Sequence, residues 1–214
     1  MTENELKILA QQLSNPEGEV GKDVAKMMNE TNISMTKETI KSLLLMDNEK
    51  VLELGHGNAG HLSYLLDFAE NINYTGLEIS ETMKSEAEII NQKYLSQAKF
   101  QLYDGKKIPL ESESFDKILT VNTIYFWENP VDFLNEIYRV LKEHGSFVLT
   151  FAKKDFMKTL PFTADFKLYN YEDIELLISQ TNFKRMIKSD KEELITSKTG
   201  ESVKREYQVL TIKK

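Results

Sequence analysis

Lys50-Val51-Leu52-Glu53-Leu54-Gly55-His56-Gly57-Asn58-Ala59-Gly60 reads as a short buried strand, a tight turn and the start of a helix. Leu62, Leu65, Leu66 and Ala69 follow at i, i+3, i+4 and i+7, which is one helix face. Gly55, Gly57 and Gly60 make the spacing G-x-G-x-x-G of a nucleotide-binding strand-turn-helix. Two such glycines allow positive φ and close approach of the backbone to a ligand, and the third lets helix and strand pack closely. Glu53 closes the strand two residues before the first glycine. A carboxylate at a buried strand end points to a ligand. The plainer alternative is a solvated Glu53 beside an ordinary turn.

The chain has 214 residues, enough for one α/β domain with a small addition. At 41% hydrophobic and 29% charged it has a globular composition. The formal net charge of -7 and the lack of a basic stripe argue against a nucleic-acid partner. Cysteine is absent, which excludes disulfides, thiolate catalysis and Cys-ligated zinc. The histidines, His56, His61 and His144, make no metal-ligand pattern, so no metal is expected. The polar start Met1-Thr2-Glu3-Asn4-Glu5 does not read as a signal peptide, and no run of 18 apolar residues offers a membrane span. The expectation is a cytoplasmic protein. The oligomeric state is not legible.

Residues 1–46 precede the first strand and read as a helical cap belonging to the same domain as residues 47–214. Leu6, Leu9 and Leu13 mark one helix, Val20, Val24, Met27 and Met28 a second, and Ile40, Leu43 and Leu44 a third. Asn15-Pro16-Glu17-Gly18 is a turn, and Asn32 to Thr36 breaks the helical pattern. Strands are expected at Lys50–Leu54, Ile72–Glu78, Lys99–Tyr103, Phe115–Asn122 and Ser146–Phe151. Between them, Ser80 caps a helix lined by Met83, Ala87, Ile90 and Tyr94, and Pro130 opens another that runs to Gly145. This alternation demands a parallel sheet with right-handed crossovers and helices on both faces. A helix at Tyr171–Gln180 follows. An antiparallel pair, Phe183–Ser197 and Val203–Ile212, comes last, joined by Lys198-Thr199-Gly200-Glu201.

Glu53, Glu78 and Asp104 end three successive strands, on the side of the sheet where ligands bind. A dinucleotide needs positive charge for its pyrophosphate, which an acidic rim opposes. S-adenosylmethionine carries no phosphate, a sulfonium and an ammonium. Its ribose hydroxyls suit Glu78 and its adenine amine suits Asp104. The rim therefore favours S-adenosylmethionine over the nicotinamide cofactor of an NAD(P)-dependent oxidoreductase.

Glu53-Leu54-Gly55-His56-Gly57, Gly76-Leu77-Glu78-Ile79-Ser80, Asp104-Gly105 and Phe115-Asp116, in that order, resemble the successive motifs of class I S-adenosylmethionine-dependent methyltransferases. Within that class the chain is most similar to the type 11, ubiquinone/menaquinone-biosynthesis-like enzymes, over roughly residues 50–152. The resemblance implies an α/β, Rossmann-like seven-stranded sheet in the order 3-2-1-4-5-7-6 with strand 7 antiparallel. It implies that Glu53, Gly55 and Gly57 line the methionine and ribose portion, that Glu78 and Ile79 hold the ribose side, and that Met83 flanks the adenine. Asp104 with Gly105 would take the adenine amine, and Asn122 would lie under the methionyl end. One departure is Ala59, where many members have a glycine.

Methyl transfer is an in-line displacement that needs alignment and exclusion of water, so no catalytic residue is required. His56 and Tyr125 are the candidates should the acceptor, a small molecule, need a base. The alternative for His56 is a loop histidine that satisfies backbone groups. Met28, Met35, Tyr125 and Trp127 are the candidate acceptor contacts. Phe151, Phe156, Phe162, Phe166 and Tyr169, with Met27, extend this apolar set. Simple core packing accounts for the same residues equally well. A methyltransferase-fold binding protein without turnover is a further alternative.

Overall fold

The computed structural model describes residues 1–196 and 202–214. Five parallel strands form its centre: β1 (Lys50–Leu54), β2 (Asn73–Glu78), β3 (Ala98–Leu102), β4 (Phe115–Val121) and β5 (Leu141–Ala152). β6 (Arg185–Thr196) and β7 (Ser202–Lys213) extend one edge, β7 antiparallel to both neighbours. The order is β3-β2-β1-β4-β5-β7-β6, as the family resemblance implied. The expected turn Lys198–Glu201 lies outside the described residues.

The central strands are apolar because they are covered on both faces. Val51, Leu52 and Leu54 of β1, Ile118 and Leu119 of β4, and Phe147 through Leu149 of β5 are almost wholly buried. The helices α4 (Glu81–Ile90), α5 (Pro130–Val140) and α7 (Tyr171–Ser179) supply the cover, with short α3 (Leu62–Leu66) and α6 (Lys154–Met157) between strands. α5 buries Phe133, Leu134, Ile137 and Val140. In α4 only Met83 and Ala87 are buried, and Ile90 is exposed, which corrects its assignment to the core face. α5 ends at Val140 rather than at Gly145. Leu141 already pairs with Phe115, and the ladder resumes at Ser146 after a bulge in which His144 has φ +66°.

The N-terminal segment departs most from expectation. It is two helices, α1 (Glu3–Ser14) and α2 (Gly18–Leu43), and α2 runs unbroken through Asn32–Thr36. Tertiary contacts override the weak local propensity there. The Arg205 guanidinium on β7 donates to the Thr31 carbonyl at 2.6 Å and to Asn32 Oδ1 at 2.8 Å. The same guanidinium holds Glu193 of β6 at 2.6 Å, and Ser34 donates to that carboxylate. Beyond this anchor, Met35, Thr39, Ile40 and Leu43 are buried, and Thr39 Oγ1 donates to Thr150 Oγ1 of β5 at 2.6 Å. The C-terminal half of α2 is therefore core. α1, by contrast, buries only Leu9. Among the described residues no helix is long and apolar enough to cross a membrane.

Removing residues 1–15 should leave a single cooperative urea transition. Removing residues 1–35 should abolish it, because the cut removes the buried Met35 and the Thr31 and Asn32 groups that the Arg205 guanidinium holds. Ile40→Ala should cost about 2–5 kcal/mol, as a truncation at a fully buried site. The loss would be read from the same urea transitions.

Candidate functional site

The carboxyl ends of β1, β2 and β4 open into a cleft that α2 and the C-terminal end of α1 cover. Its floor is the glycine turn after β1. Gly55 has φ +72°, and a Cβ there would stand 2.5 Å from Thr123 Cγ2. Gly57 has φ +56° and nothing within 4 Å of a Cβ position, so its backbone is bare towards the cleft. Ala59, the departure from glycine, also has positive φ, +48°, and is fully buried.

Glu78 holds this turn in place. Its Oε2 accepts from Gly57 N at 2.9 Å, and its Oε1 from Ile79 N at 2.7 Å and Ser80 N at 3.3 Å. The carboxylate thus joins the end of β2 to the turn after β1. Ser80 caps α4 through Met83 N and donates to the Pro16 carbonyl at the α1–α2 junction. Ile79 is 40% exposed and lines the cleft with Tyr103 and Gly105. Met83 is on the buried face of α4 and does not line the cleft. Asp104 is exposed at the rim and outside the lining. The Lys107 and Lys106 amides both donate to its Oδ1 at 2.8 Å and hold its carboxyl below the ordinary value.

Glu53 is 3% exposed and is not a solvated strand end. Its Oε2 accepts from Tyr74 Oη at 2.7 Å and from His61 Nε2 at 2.8 Å. Burial opposes ionisation of Glu53, but the His61 charge and these hydrogen bonds outweigh it and keep the carboxyl below its usual value. Burial likewise opposes protonation of His61, and the adjacent Glu53 outweighs it and raises the imidazole. His61 lines the cleft and had only been counted among the histidines. Its signal in the sequence is the spacing: Glu53 ends the strand and His61 opens the helix that returns across it.

His56 also lies under the turn. Its Nδ1 donates to the Gly57 carbonyl at 2.7 Å, and its ring meets Phe100 edge-on at 5.1 Å. Its Cδ2 stands 2.5 Å from where a Gly76 Cβ would be, so Gly76 makes the space for it. Burial pushes the His56 pKa down despite Glu78 and Glu53 nearby. Nε2 is a buried acceptor with no partner among the described residues. A neutral imidazole packed beneath the turn is not placed to act as a base on an acceptor.

At the end of β4, Asn122 takes φ +57° and lines the cleft. Its Oδ1 accepts from Ala152 N at 3.1 Å and lies 3.0 Å from Tyr125 Oη. Tyr125 is buried and outside the lining, and burial pushes its phenol far up, which removes it as a base and as a surface contact. Met35 is wholly buried behind Asn122, with Sδ 3.6 Å from Asn122 Nδ2. Met28 and Trp127 do line the cleft, with Phe126, Asn29 and Asn32. Phe166 packs behind Phe126 at 4.8 Å, so that aromatic segment supports the wall rather than forming it. Among the described residues no three His, Asp or Glu side chains converge on a metal position.

The donor set suits S-adenosylmethionine. The bare Gly57 backbone leaves room for a ligand, two carboxylates meet it, and among the described residues neither lysine nor arginine lines the cleft to hold a pyrophosphate.

The family described as "Methyltransferase domain" matches residues 52–149. The chain is 27% identical over 161 residues to the uncharacterized methyltransferase YdaC of Bacillus subtilis, covering 70% of this chain and 86% of that protein. It is 30% identical over 132 residues to a sterol 4-C-methyltransferase of Caenorhabditis elegans, covering 59% of this chain but only 37% of that protein. A solved S-adenosylmethionine-dependent methyltransferase from Aquifex aeolicus has the same fold, with a TM-score of 0.66, 21% identity, and coverage of 87% and 96% of the two chains. Residues 52–149 therefore match a methyltransferase domain, and the sheet order is that of a solved S-adenosylmethionine-dependent methyltransferase.

Proposed function

We propose that the chain is a class I S-adenosylmethionine-dependent methyltransferase that methylates a small, partly apolar acceptor lacking an anionic group, and that residues 1–46 serve as a cap forming one wall of the acceptor site. The observation that carries this reading is the cleft wall beyond the glycine turn. Met28, Phe126 and Trp127 give it an apolar face, and the amides of Asn29 and Asn32 give it a few neutral polar contacts. The Caenorhabditis elegans relative is named for a sterol acceptor, which supports the same chemical class.

S-adenosylmethionine, when bound, supplies an activated methyl group on a sulfonium. The chain supplies position and dryness. In this reading Gly55 and Gly57 lie against the methionine and ribose portion, and Glu78 accepts from the ribose hydroxyls. Ile79 and Gly105 border the adenine, with Asp104 at the rim. Met83 supports that edge from beneath, and Asn122 lies under the methionyl end. Tyr125 and Met35 set the orientation of Asn122 rather than touching the acceptor. With Tyr125 hydrogen-bonded outside the cleft and His56 Nε2 buried beneath the turn, the acceptor brings its own nucleophilic lone pair.

Calorimetry should show binding of S-adenosylhomocysteine and far weaker binding of NAD. Comparable NAD affinity would support an oxidoreductase instead. Glu78→Ala should weaken the homocysteine ligand about ten- to a hundred-fold, since hydrogen bonds to charged groups contribute about 1.5–3 kcal/mol. An unchanged Kd would refute the ribose assignment.

Turnover would be followed as S-adenosylhomocysteine formed with a panel of sterols, quinols, phenols and phosphorylated amines. Product is expected with the uncharged apolar members only. Failure across all uncharged acceptors with intact cofactor binding would favour a binding protein. With a working acceptor, Trp127→Ala should raise its KM about tenfold, the equivalent of losing an aromatic contact of about 1.4 kcal/mol. Cofactor affinity should stay within about twofold of the parent.

A further inference from the structure

Glu53 is held from one side only. Tyr74 and His61 both donate to Oε2, and Oε1 has no hydrogen-bond partner among the described residues while Glu53 borders the cleft. His61 is held in the same one-sided way. Its Nε2 is engaged with Glu53, and its Nδ1 has no protein partner among the described residues while His61 borders the same cleft. A protonated His61 therefore places a positive charge beside the oxygen that a cationic ligand group would seek.

We propose that His61 is a positioning residue whose proton is exchanged for the cofactor's cationic methionyl end. It orients the Glu53 carboxylate through Nε2, and it gives up the Nδ1 proton when a ligand ammonium arrives at Oε1. The inference rests on the assignment of Glu53 to the methionyl side of the cofactor site.

The electrostatics support the exchange. The Glu53 charge is what favours the imidazolium against the cost of burial. A second cation on the same carboxylate shares that stabilisation and repels the first, which lowers the His61 pKa in the bound state. Losing the Nδ1 proton leaves the Nε2–H donor to Glu53 intact, so the orientation survives the change in charge. The other titratable groups of this cluster do not compensate. His56 is already pushed towards its neutral form, and the Tyr74 phenol is pushed well up. Glu78 lies across the turn with both oxygens bonded to backbone amides. α2 approaches the turn with the neutral side chain Asn29, beside Gly60, and α4 reaches it through Asn91, which donates to the Ala59 carbonyl at 3.1 Å.

The sign follows directly. A bound-state pKa below the free-state pKa means that binding releases a proton. Affinity then rises with pH between the two values and is flat above the higher one. The slope for one proton is at most about tenfold per pH unit.

The test is calorimetry of the wild-type protein with S-adenosylhomocysteine between pH 5.5 and 8, in buffers of different ionisation enthalpy. A fraction of a proton should be released per ligand, passing through a maximum in that range. 5′-Methylthioadenosine, which lacks the methionyl ammonium, should bind without release. His61→Gln should remove the release with S-adenosylhomocysteine and flatten the pH profile. Histidine NMR on the wild type provides a readout independent of that variant's folding: the His61 Cε1 proton should move to its neutral position on ligand addition. If the homocysteine ligand binds with heats independent of the buffer, or if release persists in His61→Gln, the exchange is wrong while the cofactor assignment stands. If it does not bind at any pH, the cofactor assignment itself fails.

Discussion

Glu78 accepts three backbone amides, and the rest of the site depends on that one carboxylate. Ile79 and Ser80 are its own successors in the chain, but Gly57 belongs to the turn after the neighbouring strand. Parallel pairing sets Leu54 opposite Leu77, so the two strand ends finish side by side. The carboxylate then closes the gap between them. A charge-assisted hydrogen bond to a backbone N–H is short and strong relative to a neutral one. It fixes the left-handed Gly57 where its bare backbone faces the cleft. The same residue connects outward, since Ser80 reaches the Pro16 carbonyl and so ties the α1–α2 junction to the rim of the sheet.

Around the turn the protein buries two carboxylates, two histidines and a tyrosine: Glu53, Glu78, His56, His61 and Tyr74. Such a cluster is costly unless its members satisfy each other. Glu53, His61 and Tyr74 do so through one shared oxygen. The second Glu53 oxygen and His61 Nδ1 have no hydrogen-bond partner among the described residues, and both residues line the cleft. His56 fills the space above Gly76 and contributes shape rather than charge. The cluster therefore couples the protonation of the core to what the cleft holds.

The covering helix α2 has two different halves. Its N-terminal half faces the cleft with Ala25, Met28, Asn29 and Asn32. Its C-terminal half is core, fastened through Thr39 to β5. Arg205 and Glu193 sit where the halves meet. A buried ion pair of this kind is strongly destabilising to break, because it leaves an uncompensated charge. The wall that α2 gives the cleft is thus held by the β6–β7 hairpin, an element that carries none of the quoted sequence motifs. α1 has little buried surface, and it meets the cleft at Leu13 and Ser14.

Residues 50–60, 76–80 and 104–105, with the alternation of strand and helix around them, were enough to derive the sheet, its order through the family resemblance and the cofactor proposed for it. These features are local: a strand period, a glycine spacing and a carboxylate at a strand end are each written within about ten residues. The continuity of α2 was not legible, because Asn32–Thr36 is a poor helix former by itself and is held by an arginine some 170 residues away. Nor were the partners of Glu53, since Tyr74 comes to it only when β2 pairs with β1 and His61 only when the turn folds back over the strand. The same reason displaced Met35, Met83 and Tyr125 from the cleft. Helical spacing and position after a strand mark a side chain as apolar and near the site. Whether it faces ligand or core is decided by the neighbours that close packing brings against it, and those come from distant parts of the chain.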